Sequence, residues 1–308
     1  MTAIPQAQSK LIHHCIKYLT TEYQYIYGEE QREYLDLFSL IGPQILEAIA
    51  NCDAPYHNLE HTVQVVLVGQ EILSGKLLCK EQVSAHDWLN FIVSLLCHDI
   101  GYLKGICSQD CMAEHIFVTG VDGDSINISP TATGASLTPY HVDRGKLFVI
   151  ENFSKYELIN LDIIQLNIEL TRFPVPKDHL HQDTLDFPGL TRGADLIGQL
   201  SDPSYLFKLP ALFSEFEEVG SNKLLGYSNY QDLRAGYPRF YWHVVSLYLK
   251  DSIRYLEMSP SGCAILDNLY GNRTTVEKEL DCLYSGSKTN IFKSLSSWLN
   301  KHYSNEII

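Results

Sequence analysis

Apolar residues recur every three or four positions along most of the chain. Leu11, Ile12, Cys15, Ile16, Leu19 and Tyr23 predict a helix over 7–27. Leu35, Leu37, Phe38, Leu40, Ile41, Ile45 and Leu46 predict a second over 30–50, closed by a turn at Asn51-Cys52-Asp53-Ala54-Pro55. Asn58 is a good cap for a third, expected to stop at Ser74-Gly75. A fourth starts near Ser84 or His86 and ends before Gly101, with Trp88, Phe91, Ile92, Leu95 and Leu96 as its buried stripe. Residues 118–139 are rich in turn formers and read as a long loop, a feature that tends to carry function. Helical patterning resumes over 142–153 and 162–171, breaks at Phe173-Pro174-Val175-Pro176, and returns over 190–200 and 203–218. A long amphipathic helix is expected over 239–257, ended by Ser259-Pro260-Ser261-Gly262, and two more over 264–304. Strand-like alternation never persists. The expectation is an all-α single domain spanning 1–308.

Composition narrows the function classes. Apolar residues make up 45% of the 308 and charged residues 19%, enough for a buried core. With 23 basic against 37 acidic residues the net charge is −14, which repels phosphate backbones and argues against nucleic acid as a partner. The N-terminus lacks a basic stretch followed by an apolar run, and Phe91–Cys97, among the longest apolar runs, falls far short of a bilayer span. A cytoplasmic protein with no membrane partner is expected. The eight scattered cysteines then read as reduced thiols, and the Cys107/Cys111 pair lacks the second pair a zinc site needs.

Three short signals carry chemistry. The first is Tyr56-His57-Asn58-Leu59-Glu60-His61, with two histidines four apart; a helix starting at His57 or Asn58 would stack them on one face. The second is His98-Asp99 at the end of an apolar helix. A charged Asp beside Leu95-Leu96-Cys97 needs a partner, and a metal ion is the natural one. The third is Asp195 within Thr191-Arg192-Gly193-Ala194-Asp195-Leu196, again in a small or apolar helix face. Imidazole nitrogens plus carboxylate oxygens suit a divalent ion, and four such ligands leave open positions, the mark of a catalytic site.

This order of motifs resembles the HD superfamily of metal-dependent phosphohydrolases, and the Tyr-His-Asn-x-x-His step resembles the cyclic-nucleotide phosphodiesterase signature. The resemblance covers roughly residues 50–200, the expected metal-binding core, with 1–50 and 201–308 as peripheral helices. It implies His57 as general acid and His61, His98, Asp99 and Asp195 as metal ligands, with Asp99 bridging two ions. Tyr102 stands where the phosphodiesterase pattern carries a further His. HD proteins with fuller two-metal sites recruit extra histidines in this interval, which His141 and His115 fit. Some place a lysine near the His-Asp step, where Lys104 lies.

Phosphate needs positive charge, and Lys104, Arg144, Arg172 and Arg192 are the candidates; an arginine can grip phosphate through two parallel hydrogen bonds. His179 and His181 read as solvent-exposed, Asp202 as a helix cap and Glu215 as part of a solvated face. The expected activity is hydrolysis of a small phosphomonoester or phosphodiester, such as a nucleotide, by metal-activated water. One or two ions of Mn, Mg, Fe, Ni, Co or Zn would serve. A two-iron oxygenase of HD type and a catalytically degenerate nucleotide-binding domain are the alternatives, and the sequence leaves the substrate and the oligomeric state open.

Overall fold

The computed structural model describes residues 4–29 and 31–285, so the part of the expected tail beyond 285, with His302, lies outside the described residues. The chain is all-α. Its helices run α1 Gln6–Tyr27, α2 Arg32–Ile49, α3 Leu59–Leu78, α4 Ala85–Cys97, α5 His141–Phe153, α6 Leu161–Glu169, α7 Phe187–Leu200, α8 Tyr205–Glu218, α9 Ser221–Leu225, α10 Tyr230–His243, α11 Lys250–Leu256 and α12 Pro260–Ser285. No helix among the described residues is long and apolar enough to cross a membrane.

Helix α3 is the axis. Val63, Val65, Val66, Val68, Ile72 and Leu73 bury residues all round it, as expected of a helix packed on every side. α7, α4, α1, α11 and α12 lie against it. The approach of α7 is close because Gly198 has no side chain; a Cβ there would stand 2.8 Å from Val65 Cα. That contact brings the N-terminal half of α3 beside the middle of α7. In the core of the α1–α2–α4 layer, Trp88 meets Tyr23 and Phe38 edge-on at 4.8 and 5.1 Å and donates its indole N–H to Gln70 Oε1 at 2.7 Å. Its large apolar body is buried without stranding its polar handle.

Several expected boundaries move. Gly75 does not stop α3: it sits against the Tyr255 backbone, so packing of α11 outweighs a weak local breaker. The expected helix over 239–257 is instead α10, a 3₁₀ turn at Val245–Tyr248, and α11. Pro260 does not end a helix but opens α12, where its missing N–H costs nothing. The expected loop over 118–139 is part of an antiparallel two-stranded hairpin, β1 Ile116–Val118 with β2 Ser125–Asn127, followed by a 3₁₀ turn at Gly134–Leu137.

This insertion has a small core of its own, Phe117, Ile128 and Leu137, and is stapled to the bundle by Arg144. Its guanidinium grips both oxygens of Asp110 at 3.0 and 2.9 Å and donates to the carbonyls of Gly101, Leu103 and Val118. Both side chains of the pair are fully buried. The expected phosphate contact at Arg144 is therefore corrected: every N–H of the side chain is spent inside the protein. Removing one partner of such a pair strands the other charge, so Asp110→Asn should cost about 3–5 kcal/mol. A denaturant midpoint unchanged from wild type would contradict this role.

Candidate metal centre

The site lies where the start of α3, the end of α4 and the middle of α7 meet. Asn58 caps α3, its side-chain oxygen accepting the N–H groups of Glu60 and His61. His57 thus precedes the helix rather than sharing its face, which corrects the expected one-face pairing with His61. His98 closes α4, and Asp99 leads into a 3₁₀ turn at Ile100–Tyr102. Asp195 comes from the middle of α7.

These elements bring four ligand groups together. His61 Nε2 stands 3.3 Å from Asp99 Oδ2, 3.4 Å from Asp195 Oδ1 and 3.4 Å from His98 Nε2. His98 Nε2 stands 3.1 Å from Asp99 Oδ2 and 3.6 Å from Asp195 Oδ1. Neighbouring ligands about 2.0–2.2 Å from a shared ion have separations of this size. The groups His57, His61, Asp99 and His61, His98, Asp195 each have the spacing to hold an ion. Asp99 Oδ2 is buried yet has no partner in hydrogen-bond geometry. A buried carboxylate oxygen ringed by imidazole nitrogens and left unbonded is what a cation site needs. His98 donates Nδ1–H to Leu95 O at 2.7 Å, which leaves Nε2 as its ligand nitrogen.

His57 sits on the rim under separate control. The carboxylate of Glu215 on α8 takes its Nδ1 at 2.5 Å, and the other oxygen accepts the backbone N–H groups of Tyr56 and His57 at 2.6 and 3.0 Å. Glu215 is 1% exposed. The expected solvated face is thus corrected, and the site draws on a helix beyond residue 200. The signal was present: the buried stripe of α8 runs Tyr205, Leu209, Leu212, Glu215 at helical spacing. On the other flank His141 opens α5. Its Nδ1 bonds Thr138 O at 2.6 Å and its Nε2 lies 3.9 Å from Asp99 Oδ1.

Electrostatics follow the geometry. Burial alone would depress the histidines, but the charge of Asp99 lifts His98 to about 9, and Asp195 and Asp99 lift His61 above the usual imidazole value. Burial would raise Asp99, yet His98 and His57 hold it well below the carboxylate range. Glu215 and its neighbour Asp99 more than offset burial at His57, which is raised; His141 is lowered, chiefly by burial. Burial keeps the Tyr102 phenol far above its ordinary value, so it offers no anionic ligand at neutral pH.

Other expected site residues lie elsewhere. Arg192 is 1% exposed; it donates to the carbonyls of His181 (2.6 Å) and Asp183 and lies 4.2 Å over the Tyr248 ring, so it braces the segment before α7 and is corrected as a phosphate contact. Lys104 pairs with Asp53 at 2.6 Å and bonds Ala132 O, pinning the insertion. Arg172 is held by Glu169 and Asp143. His115 stands at the hairpin base and belongs to neither ion-holding group. His181 is buried rather than exposed, bonded to Asp178 at 2.8 Å; His179 is exposed. Neither Cys107 nor Cys111 joins an ion-holding group.

Fold and site together define an all-α protein with a buried His/Asp cluster that could hold a metal ion. The family model described as Npun_R2479-like matches residues 6–279, most of the chain. The protein belongs to the Npun_R2479-like family. No curated protein matches it.

His98, lifted to about 9, carries a proton near neutrality without an ion, and an ion must displace it. Zinc affinity should climb as pH rises from 6.5 towards about 9, with proton release seen as a buffer-dependent calorimetric enthalpy. Affinity independent of pH over that window would contradict the ligand set.

Proposed function

We propose that the chain is a metal-dependent phosphohydrolase of the HD type, acting on a small phosphomonoester or phosphodiester such as a nucleotide. The observation that carries this reading is the pairing of a two-His, two-Asp cluster, with His61, His98 and Asp99 buried and Asp195 half-buried, with a rim histidine held by a buried carboxylate. Two imidazoles and two carboxylates suit Mn, Mg, Fe, Ni, Co or Zn. An ion held there supplies Lewis acidity and a water of lowered pKa.

The protein's own residues do the rest. Glu215 holds Nδ1 of His57, so Nε2 is the nitrogen free to pass a proton to the leaving oxygen. Glu215 and Asp99 shift His57 towards its protonated form, the form a general acid needs. Asp99 and Asp195 turn carboxylate oxygens into the cluster, and His61 and His98 direct nitrogens at them. Arg144, Arg192 and Lys104 are spent on protein partners. Anchoring of the phosphoryl group would then fall to a bound ion and His57 rather than to an arginine clamp. A two-iron oxygenase would call for more imidazoles; neither expected extra ligand, His141 (Nε2 3.9 Å from Asp99 Oδ1) nor His115, belongs to an ion-holding group, which favours hydrolysis.

The test compares leaving groups on manganese-loaded protein. His57→Asn should lose about 10²–10⁴ in kcat on a phosphoester with an alkoxide leaving group, and far less on a 4-nitrophenyl ester, which departs without a proton. Equal losses on both would remove the general-acid role. Wild-type protein inert towards a panel of mono- and diesters would overturn the reading itself.

A further inference from the structure

Tyr102 is the third ring of a stack that no hydrolytic step uses directly. Its side chain is buried, and its two faces are both covered by histidines. His57 lies on one side, ring centres 4.6 Å apart and planes 8° from parallel. His141 lies on the other, at 4.5 Å and 20°. The three rings come from three elements: the segment before α3, the 3₁₀ turn after α4, and the first residue of α5.

Each outer ring is also pinned in its own plane, His57 through Nδ1 to Glu215 and His141 through Nδ1 to Thr138 O. A ring held at one edge atom can still swing about that bond. A second ring against its face removes the swing. Tyr102 supplies that face to both histidines at once, and so fixes where His57 Nε2 points and keeps His141 Nε2 directed at Asp99 Oδ1. The backbone around Tyr102 is itself wedged: a Cβ on Gly101 would collide with the His141 carbonyl, and one on Gly134 with the Tyr102 carbonyl. The insertion therefore presses directly on the residue that separates the two histidines.

We propose that Tyr102 is a positioning residue: a rigid aromatic spacer that holds His57 and His141 parallel, coupling the rim proton donor to the flank of the metal cluster. Its effect on catalysis rests on the hydrolytic reading above; its effect on the rings does not. The ring face does the holding, so the phenol oxygen, which meets the Thr138 side chain, is dispensable.

The experiment uses full-length, zinc-loaded protein with ¹⁵N-labelled histidine. The ring Nδ1–H protons of His57 and His141 are identified by their disappearance in His57→Asn and His141→Asn. In wild type and Tyr102→Phe both should exchange slowly with water. In Tyr102→Leu both should exchange about tenfold faster or more, with the fold intact by circular dichroism. Tyr102→Met, ringless and close in volume to Leu, serves if Leu prevents folding. A purely structural role would lower thermal stability and leave ring exchange within about twofold of wild type; that result in Leu or Met, or fast exchange already in Phe, overturns the proposal. On a phosphoester with an alkoxide leaving group, Tyr102→Leu should lower kcat with little change in KM. Accelerated ring exchange in a protein that hydrolyses no phosphoester would sustain the positioning role and remove the hydrolytic reading. Slow exchange in Tyr102→Leu would remove the positioning role whatever the turnover.

Discussion

Asp99 carries a charge into the interior, where little of it meets water. A carboxylate so placed is costly unless it is answered by opposite charge or hydrogen bonds. Two imidazoles, His61 and His98, turn nitrogens towards one of its oxygens, and His141 stands off the other. Much of the architecture serves this arrangement. Gly198 lets α7 close on α3 so that Asp195 reaches His61, and α4 ends at the right point to deliver His98 and Asp99 as consecutive residues. A divalent ion between them would neutralise the carboxylates and displace the proton that His98 otherwise holds.

The second layer is a set of braces that keep the rim from collapsing on this cluster. Glu215 ties the segment before α3 to α8 through three contacts, two to backbone N–H groups and one to the His57 ring. Arg144 ties the insertion to α5 and Arg192 ties the 181–183 segment to α7. Glu218, at the end of the same helix as Glu215, accepts N–H groups of Thr133 and Ser136 and so holds the far side of the insertion. Helix α8 thus touches both the candidate proton donor and the wall beside it.

The all-α fold was legible because 3.6-residue periodicity survives through most of the chain. The boundaries that moved are those where packing outweighs a local signal: Gly75 continues α3 against Tyr255, and the break after His243 has no Pro or Gly to announce it. The convergence of His61, His98, Asp99 and Asp195 was expected from the order of the motifs, which resembles the HD pattern; His98, Asp99 and Asp195 also stand out as polar residues among apolar or small neighbours. Arg144 and Arg192 were misread for a physical reason. An arginine that grips phosphate and one that grips carbonyls present the same local sequence; only burial separates them. Glu215 was hidden because its partner lies 158 residues away, although its place on the apolar stripe of α8 marked it as buried.

The central claim is that the cluster around Asp99 exists to hold an ion. Elemental analysis of purified protein, after exposure to a panel of divalent ions and removal of excess, tests it most directly. The account predicts one or two tightly held ions per chain in the wild type, and their loss in Asp99→Asn with the fold retained. Protein that retains no ion after any of these exposures, or an Asp99→Asn variant that holds as much as the wild type, would contradict it.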